Sequence, residues 1–325
     1  MPGPEQSVNK TGSKKEEQVQ KKEQTGFGSE PGRSAGTFFR ILRFPLSRIM
    51  LAVLVLAVGY FSCSALLKPL TRIMRPEEII GRPIRAILTA IALIYLYRLL
   101  FTFYEKRKVT ELSLSYLRRE ALLGLVGGMI MITGAVSVLS LLGFFRILAC
   151  EFSVVKILAG FSVIFTLAAA EEIVFRGVIF RITEEWLGTN PALLVSALLF
   201  GLAHLPTSGA NLLSVISAVS GGIMLCLAFS LTKRLWLPIF LHAGWNFAQV
   251  FFGLTVSGIS EFTWYSPLQS RLHGPELLSG GKFGIENSIV VIAILTAVCI
   301  ALNIMRIRSQ KKAYHWCQVS HVITS

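Results

Sequence analysis

The chain has 325 residues, of which 53% are hydrophobic and 15% are charged, and its mean hydropathy is +0.62. Soluble domains carry about 25% charged residues, so this composition indicates a polytopic membrane protein and excludes a disordered chain, a collagen and a disulfide-stapled miniprotein. The sequence contains no aspartate, and all 18 acidic residues are glutamate. That absence excludes a Ser-His-Asp triad, a paired-aspartate protease and the aspartate metal sites of phosphoryl-transfer enzymes.

The net charge of +14 is spread unevenly and does not indicate a nucleic-acid partner. Residues 1–48 hold nine Lys/Arg and five Glu, residues 49–119 hold eleven and four, and residues 306–325 hold four and none. The remainder, 120–305, holds eight and nine and is almost neutral. Basic residues that flank apolar runs are typical of loops that meet anionic lipid, so the expected partner of these charges is the lipid bilayer.

In chain order, a polar tail precedes eight apolar runs. Residues 1–40 have almost nothing apolar to bury and are predicted to be a disordered basic tail. The predicted transmembrane helices are Ile49–Leu67, Ile84–Tyr104, Ala121–Phe145, Val154–Phe180 with an extension to Trp186, Pro191–His204, which is short for a full crossing, Leu212–Leu231, Leu235–Phe252 and Ser288–Met305. Helical-length runs without ten-residue alternation predict an all-α bundle of about eight transmembrane helices.

These runs divide the chain into three segments after the tail. Residues 41–150 form the N-terminal transmembrane helices, 151–306 form the membrane domain that contains the polar motifs, and 307–325 form a basic C-terminal tail. With eight spans, the distribution of Lys and Arg predicts that both termini are cytoplasmic. The stretch 68–85 disagrees with this rule, because its five basic residues would lie outside, and it is predicted to be re-entrant or to lie along the surface.

Charged residues interrupt the fourth apolar run, FSVIFTLAAAEEIVFRGVIF. Each charge at bilayer depth costs about 2.5–3.5 kcal/mol on insertion scales, so Glu171, Glu172 and Arg176 require a reason. Glu172 and Arg176 are four residues apart and can pair on one helix face. Glu171 points about 100° away from Glu172 and has no evident partner in its own helix. A lone buried carboxylate of this kind is a candidate general base.

Two later runs contain histidines with no acidic residue within helical reach. His204 shares a face with Phe200 in FGLAH, and His242 shares a face with Asn246 in HAGWN. Each histidine needs a partner from another helix, and Glu171 is the natural candidate. One carboxylate, two imidazoles and one carboxamide together could activate a water and hold an oxyanion.

Each motif also has a purely structural interpretation. Glu172 and Arg176 form an ion pair in this view, since buried charges persist by pairing. His204 would be a core histidine. His242 and Asn246 would join helices by hydrogen bonds, as polar residues in membrane helices often do. The coincidence of all three motifs in a nearly uncharged region favours function, because ionisable groups inside a membrane are usually functional.

The three motifs resemble, in order and spacing, those of the CAAX-protease and bacteriocin-processing family of intramembrane proteases, which includes the Rce1-type prenyl proteases. The family pattern EExxxR, FxxxH and HxxxN/B is matched by EEIVFR, FGLAH and HAGWN, and the resemblance extends over about 154–290. The flanking LTKRLWLPIFLHAGWN and the later GGKFGIENS resemble bacterial members, which implies a bacterial plasma membrane.

The resemblance implies an endopeptidase similar to CAAX prenyl protease 2 that cuts a membrane-associated protein or peptide. Glu171, helped by His204, would deprotonate a water, and His242 and Asn246 would stabilise the oxyanion. The supporting ion pair would be Glu172 and Arg176. No cofactor is required by this scheme, although Glu171, His204 and His242 could also ligate zinc. The HExxH pair of many zinc proteases and the GxSG motif of serine proteases are both absent.

Two functions from other classes remain open on the sequence alone. A proton- or ion-coupled transporter could use the same buried groups as a relay, and discontinuous helices in two matching halves would favour it. A catalytically silent scaffold or immunity protein is the other alternative, and activity retained after Glu171→Gln would favour it. The sequence shows no repeated halves.

Overall fold

Long helices account for most of the chain, as is required of backbone that crosses lipid and must satisfy its own hydrogen bonds. The computed structural model describes residues 43–324, with side chains described for 43–311. The chain divides into the units Met1–Ser47 and Arg48–Ser325, and the description below concerns the second. The predicted tail 1–40 lies outside the described residues.

The elements follow one another with short connections. The helices are α1 Pro45–Arg72, α2 Arg82–Tyr104, α3 Leu117–Leu141, α4 Val154–Glu172, α5 Arg181–Leu187, α6 Thr189–Ala203, α7 Leu212–Thr232, α8 Trp236–Phe251, α9 Glu276–Ser279 and α10 Ile289–Thr324. π-Helical turns lie at Glu77–Gly81 and Ile173–Phe180, and 3-10 turns at Leu114–Tyr116, Glu261–Tyr265 and Ile285–Asn287. The strands β1 Phe145–Cys150 and β2 Leu268–Leu272 form an antiparallel pair.

A helix is present at each of the eight predicted positions, and within residues 43–324 six helical segments are long and apolar enough to cross a membrane. The two others are α6, with 15 residues, and α8, with 16. At 1.5 Å per residue these two reach only about 22–24 Å, less than the ~30 Å hydrocarbon layer. The prediction of an all-α polytopic bundle is confirmed, and the chain is an integral membrane protein.

The structure differs from the prediction at two places. The third helix ends at Leu141 instead of Phe145, because Gly143 adopts a left-handed conformation (φ 79°) that stops the helix, and β1 follows. The stretch 68–85 is mostly helical: α1 continues to Arg72, and the turn Glu77–Gly81 leads directly into α2. Lys68 and Arg72 lie at the end of α1, Arg82 and Arg85 lie at the start of α2, and Arg75 lies in the bend between them; the re-entrant or surface placement stays a prediction.

The helix α8 packs against α3 and α4, and glycines allow the close approach. A Cβ added to Gly128 of α3 would lie 2.3 Å from the carbonyl oxygen of Leu241, and one added to Gly244 of α8 would lie 2.3 Å from that of Leu125. Both clashes are with backbone, so neither can be relieved by turning a side chain. Small residues at this contact therefore fix the depth and rotation of α8, the helix that carries HAGWN.

Gly128→Ala should lower the thermal stability of the full chain in detergent, by about 1–3 kcal/mol, because the added methyl group forces α3 and α8 apart. Gly134→Ala in the same helix is the matched control, since a Cβ there meets nothing within 4 Å. Melting curves of the two variants would test the contact. Equal melting temperatures would show that the glycine does not set the helix spacing.

Where α2 ends, a partly buried ionic network joins the 105–113 connection to α1 and to α5. Glu105 accepts hydrogen bonds from Arg48 of α1 (2.6 Å) and Arg181 of α5 (3.0 Å). Glu111 accepts from Arg107 (2.5 Å). Burial alone would raise the pKa of each carboxyl, but the hydrogen bonds and charges of these arginines outweigh it, so the pKa values of Glu105 and Glu111 lie below the usual 4.5.

The network should make the protein sensitive to acid. A carboxyl whose pKa is lower in the folded state contributes stability above its unfolded pKa, and that stability is lost as the pH falls through the folded pKa. We therefore expect the melting temperature in detergent to fall steeply below about pH 4 and to fall less steeply in Glu105→Gln/Glu111→Gln. Glu151→Gln, at an exposed carboxylate, is the control. Parallel pH profiles for all three proteins would contradict the assignment.

Candidate active site

The charged residues of the fourth apolar run lie where α4 changes into a π-helical segment. Glu172 is the last residue of α4, and Ile173–Phe180 is π-helical, a rare conformation that is frequent at functional sites. Arg176 Nη1 donates to Glu172 Oε1 (2.8 Å), and its Nη2 donates to the carbonyl oxygen of Gly222 (3.0 Å). Both side chains are fully buried, so the pair inferred from their spacing is present and removed from water.

His242 of α8 joins this pair and brings α8 to α4. Its Nδ1 lies 2.8 Å from Glu172 Oε1, and since a carboxylate can only accept, Nδ1–H is the donor. Its Nε2 lies 3.8 Å from Glu171 Oε2. The sequence led us to expect Glu171 as the histidine's partner, but the carboxylate that bonds to the ring is Glu172. Glu171 faces the opposite ring nitrogen across a gap.

The aromatic ring of Phe200 separates Arg176 from the two imidazoles. The guanidinium carbon of Arg176 lies 4.6 Å from the centre of the Phe200 ring. The ring centres of His204 and His242 lie 4.7 Å and 5.8 Å from the same point. The contact of Phe200 with Arg176 is a cation–π interaction. Its contacts with the two histidines are aromatic packing. Phe200, which the sequence offered only as the neighbour of His204, therefore organises three of the polar groups.

His204 lies just past the end of the short helix α6. It is the C-cap residue, and its Nδ1 lies 2.8 Å from the carbonyl oxygen of Phe200. A carbonyl only accepts, so Nδ1 is protonated and Nε2 is the nitrogen that remains for other partners. This position agrees with the expectation that the fifth span is short. Among the described side chains, His204 makes no ion-pair contact with Glu171 or Glu172.

A small cavity adjoins both histidines. His204, His242, Trp245 and Glu286 are among its lining residues, and it provides ≈ 40 Å³ of space for water-sized spheres. A water needs about 10–15 Å³ on this measure, so the cavity has room for about three. Glu171 Oε2 is buried without a hydrogen-bond partner from the described protein atoms. A buried polar atom of this kind is normally satisfied by ordered water.

The site brings together most of the residues selected from the sequence. Glu171 and Glu172 each lie within 4 Å of His242, and Arg176 pairs with Glu172. Asn246 is buried one helical turn after His242, on the same face of α8. Tyr60 of α1 interacts electrostatically with the Glu171 carboxylate. Tyr60 could not be identified from the sequence, because α1 is distant in the chain from the three motifs.

Glu286 is a second residue that sequence reasoning missed. Its Oε1 accepts a hydrogen bond from the indole of Trp245 (2.6 Å), and its Oε2 accepts from the backbone nitrogen (2.7 Å) and hydroxyl (2.8 Å) of Ser257. Ser257 has φ 46°, which a residue other than glycine adopts only at a cost. The carboxylate therefore holds a strained connection against the cavity wall. GGKFGIENS, which contains it, could have indicated the residue but not its partners.

The residues do not fit a zinc site as the structure arranges them. Zinc in proteins takes three or four close ligands from His, Cys and carboxylate side chains. Within the described part of the chain, no three such groups converge on one point. One nitrogen of His242 is already occupied by Glu172, and Glu171 is 3.8 Å from the other. We therefore derive no step through a metal.

A family comparison agrees with the motifs. Residues 153–248 match the model described as Type II CAAX prenyl endopeptidase Rce1-like. No curated protein matches the chain. The resemblance found in the sequence is confirmed over this segment: residues 153–248 contain an Rce1-like domain of the CAAX-protease family. The matched segment includes Glu171, Glu172, Arg176, His204, His242 and Asn246.

Glu172→Gln should destabilise the protein strongly, because it leaves Arg176 as a buried charge without its counter-ion. Breaking a buried pair in this way costs about 3–5 kcal/mol. Earlier thermal aggregation in detergent would report the loss. Glu185→Gln is the control: Glu185 also pairs with an arginine, Arg181, but its side chain is 44% exposed, and we expect little change. An unchanged melt for Glu172→Gln would contradict the structural role of the pair.

Proposed function

We propose that the protein is an intramembrane endopeptidase in which Glu171 activates a water to hydrolyse a peptide bond. The observation that carries the proposal is the arrangement around His242, whose ring has one carboxylate on each nitrogen and borders a cavity of water size. The Rce1-like domain over 153–248 supports the same reaction class.

Glu171 acts as the general base. Its Oε2 has no protein partner among the described residues and lies 3.8 Å from His242 Nε2. A water about 2.8 Å from both atoms would bridge this gap, which is too long for a direct hydrogen bond. Glu171 takes a proton from that water as its oxygen attacks the carbonyl carbon of the substrate.

The oxyanion forms on the carbonyl oxygen and needs donors that are already in place. His242 is held through Nδ1–H by Glu172 and, as the imidazolium, donates from Nε2. Asn246 adds an amide donor from the same face of α8. Donors preorganised in a water-poor site stabilise such charge strongly; loss of one typically costs about 10²–10³ in kcat.

The reaction also needs a proton for the leaving amine. Protonated Glu171 returns the proton it took from the water, so no proton is lost or gained over the cycle. His204 assists this transfer through Nε2, since its Nδ1–H is engaged by the Phe200 carbonyl oxygen. Glu172 and Arg176 do not exchange protons with the substrate. They hold α4, His242 and the ring of Phe200 in position.

The substrate in this proposal is a membrane-associated protein or peptide, CAAX-like in the sense of the family. We further propose a bacterial plasma membrane with both termini in the cytoplasm. The supporting observation is the set of basic residues at the connections that would share the cytoplasmic side: Lys106, Arg107, Lys108, Arg118, Arg119, Lys233, Arg234 and Arg306. Lys and Arg are enriched in cytoplasmic loops.

Glu171→Gln should abolish cleavage while the protein remains folded and inserted. Loss of a general base lowers the rate by about 10²–10⁴. Sequencing of new protein termini in cells that produce the wild type or the variant would detect the missing cleavages. Glu261→Gln, at an exposed glutamate of the 3-10 turn, is the control and should leave the set of termini unchanged.

The same experiment separates the rival functions. Wild-type cleavage by Glu171→Gln would exclude Glu171 as the base, and full biological activity without cleavage would favour a scaffold. Proton-linked uptake by the purified wild type in liposomes, with no proteolysis, would favour a transporter. Biological activity without cleavage and proton-linked uptake without proteolysis would each overturn the proposal of an endopeptidase.

A further inference from the structure

A second concave site lies beside α4, the helix that carries Glu171. A cleft of ≈ 280 Å³ lies between α1, α2 and α4, on the same measure that gives the histidine cavity ≈ 40 Å³. Tyr60 of α1, Arg85 of α2 and Leu167 of α4 each contribute to its wall. The histidine cavity holds only a few waters, whereas this cleft is large enough for several side chains. Nothing in the mechanism above uses it.

Two arginines line the cleft. They are Arg82 and Arg85, and no carboxylate is among the lining residues. Each guanidinium already makes hydrogen bonds within the protein. Arg85 Nη1 donates to Thr71 (3.1 Å) and Glu77 (3.4 Å). Arg82 Nη1 donates to Glu78 (3.2 Å). A guanidinium carries five N–H donors, so these contacts leave donors for a further acceptor. Planar forks of this kind bind carboxylate or phosphate in a bidentate manner.

The cleft lies within one helical turn of the proposed general base along α4. Tyr60 lines it and interacts electrostatically with Glu171. On α4, the lining residues Val163 and Leu167 precede Glu171 by eight and four residues, which is about 12 and 6 Å along the helix. An extended peptide covers that distance in about two to four residues. A chain whose scissile bond lies at Glu171 could therefore extend into the cleft.

The walls are otherwise apolar, with Ala86, Val163, Leu167 and Phe262 among them. The same end of α1 carries Lys68, Arg72 and Arg75 around a neighbouring depression. The positive-inside rule does not explain these charges, because the predicted topology puts them outside. A requirement for positive charge at this site does explain them. An occupant that matches the cleft combines an apolar segment with an anionic group.

We propose that this cleft binds the substrate, and that Arg82 and Arg85 hold an anionic group, a carboxylate or a phosphate, on the flank of the bond that is cut. The inference rests on the proposed endopeptidase function, because it places the cleft on the path of the same substrate. The specificity that follows is for membrane-associated peptides with an acidic flank.

The test measures binding to the full-length protein in phosphatidylcholine nanodiscs. Two fluorescent peptides serve as probes, with one apolar segment and a flank of either glutamates or glutamines. The Glu171→Gln background prevents cleavage, so binding is read alone. We expect Arg82→Gln/Arg85→Gln to weaken binding of the glutamate peptide by roughly tenfold or more, since hydrogen bonds between charged groups are worth about 1.5–3 kcal/mol. Binding of the glutamine peptide should not change.

Two further variants guard against misfolding. Arg146→Gln/Arg271→Gln removes the same charge from exposed, paired positions of β1 and β2 and should leave both affinities intact. Glu77→Gln/Glu78→Gln removes the carboxylates that compete for the arginines and should tighten binding of the glutamate peptide. Tighter binding cannot result from damage to the fold.

Several outcomes would overturn the proposal. One is an equal effect of Arg82→Gln/Arg85→Gln on the binding of both peptides. Another is no gain in binding from Glu77→Gln/Glu78→Gln. A third is that only the binding of phosphatidylglycerol, added to the nanodiscs, depends on the arginines, which would make the cleft a lipid site. Failure of the proposed function is recognised separately. In that case the wild type binds the glutamate peptide through Arg82 and Arg85 but does not cleave it.

Discussion

The site depends on a buried cluster in which one carboxylate satisfies two hydrogen-bond donors. Glu172 accepts hydrogen bonds from Arg176 in its own helix and from His242 in α8. In a membrane bundle the hydrophobic effect does little to join one helix to another, so such bonds and close packing determine which helix faces meet. The cost of burying three ionisable groups is offset only while all three remain together. This cluster therefore fixes both the fold around α4 and the orientation of the imidazole.

Catalytic geometry follows from that orientation. With Nδ1 on Glu172, the ring of His242 must present Nε2 to Glu171, and the 3.8 Å gap between them is of a size that a bridging water fills. The short α6 ends beside the same cavity and places His204 in its wall. The proposed reaction thus uses two levels of the structure, with Glu172 and Arg176 setting positions and Glu171 exchanging the proton.

Much of this arrangement could be predicted from sequence, because lipid makes each polar residue conspicuous. Helix positions and the pairing of Glu172 with Arg176 follow from apolar length and i, i+4 spacing. The partner of His242 could not be predicted, since helix rotation is set by backbone contacts such as that of Gly128 with Leu241. The role of Glu286 could not be predicted for a related reason. Its partners lie on α8 and on the connection that follows it, and sequence periodicity does not show that these segments approach Glu286.

The central claim is that Glu172 fixes the ring of His242 through Nδ1–H. Nitrogen NMR of the full-length protein, labelled on histidine and solubilised in detergent, tests it most directly, with the His242 signal assigned by its loss in His242→Gln. The account predicts a protonated Nδ1 that shifts in Glu172→Gln but not in Glu185→Gln. A His242 ring protonated only at Nε2, with a bare Nδ1, would contradict it.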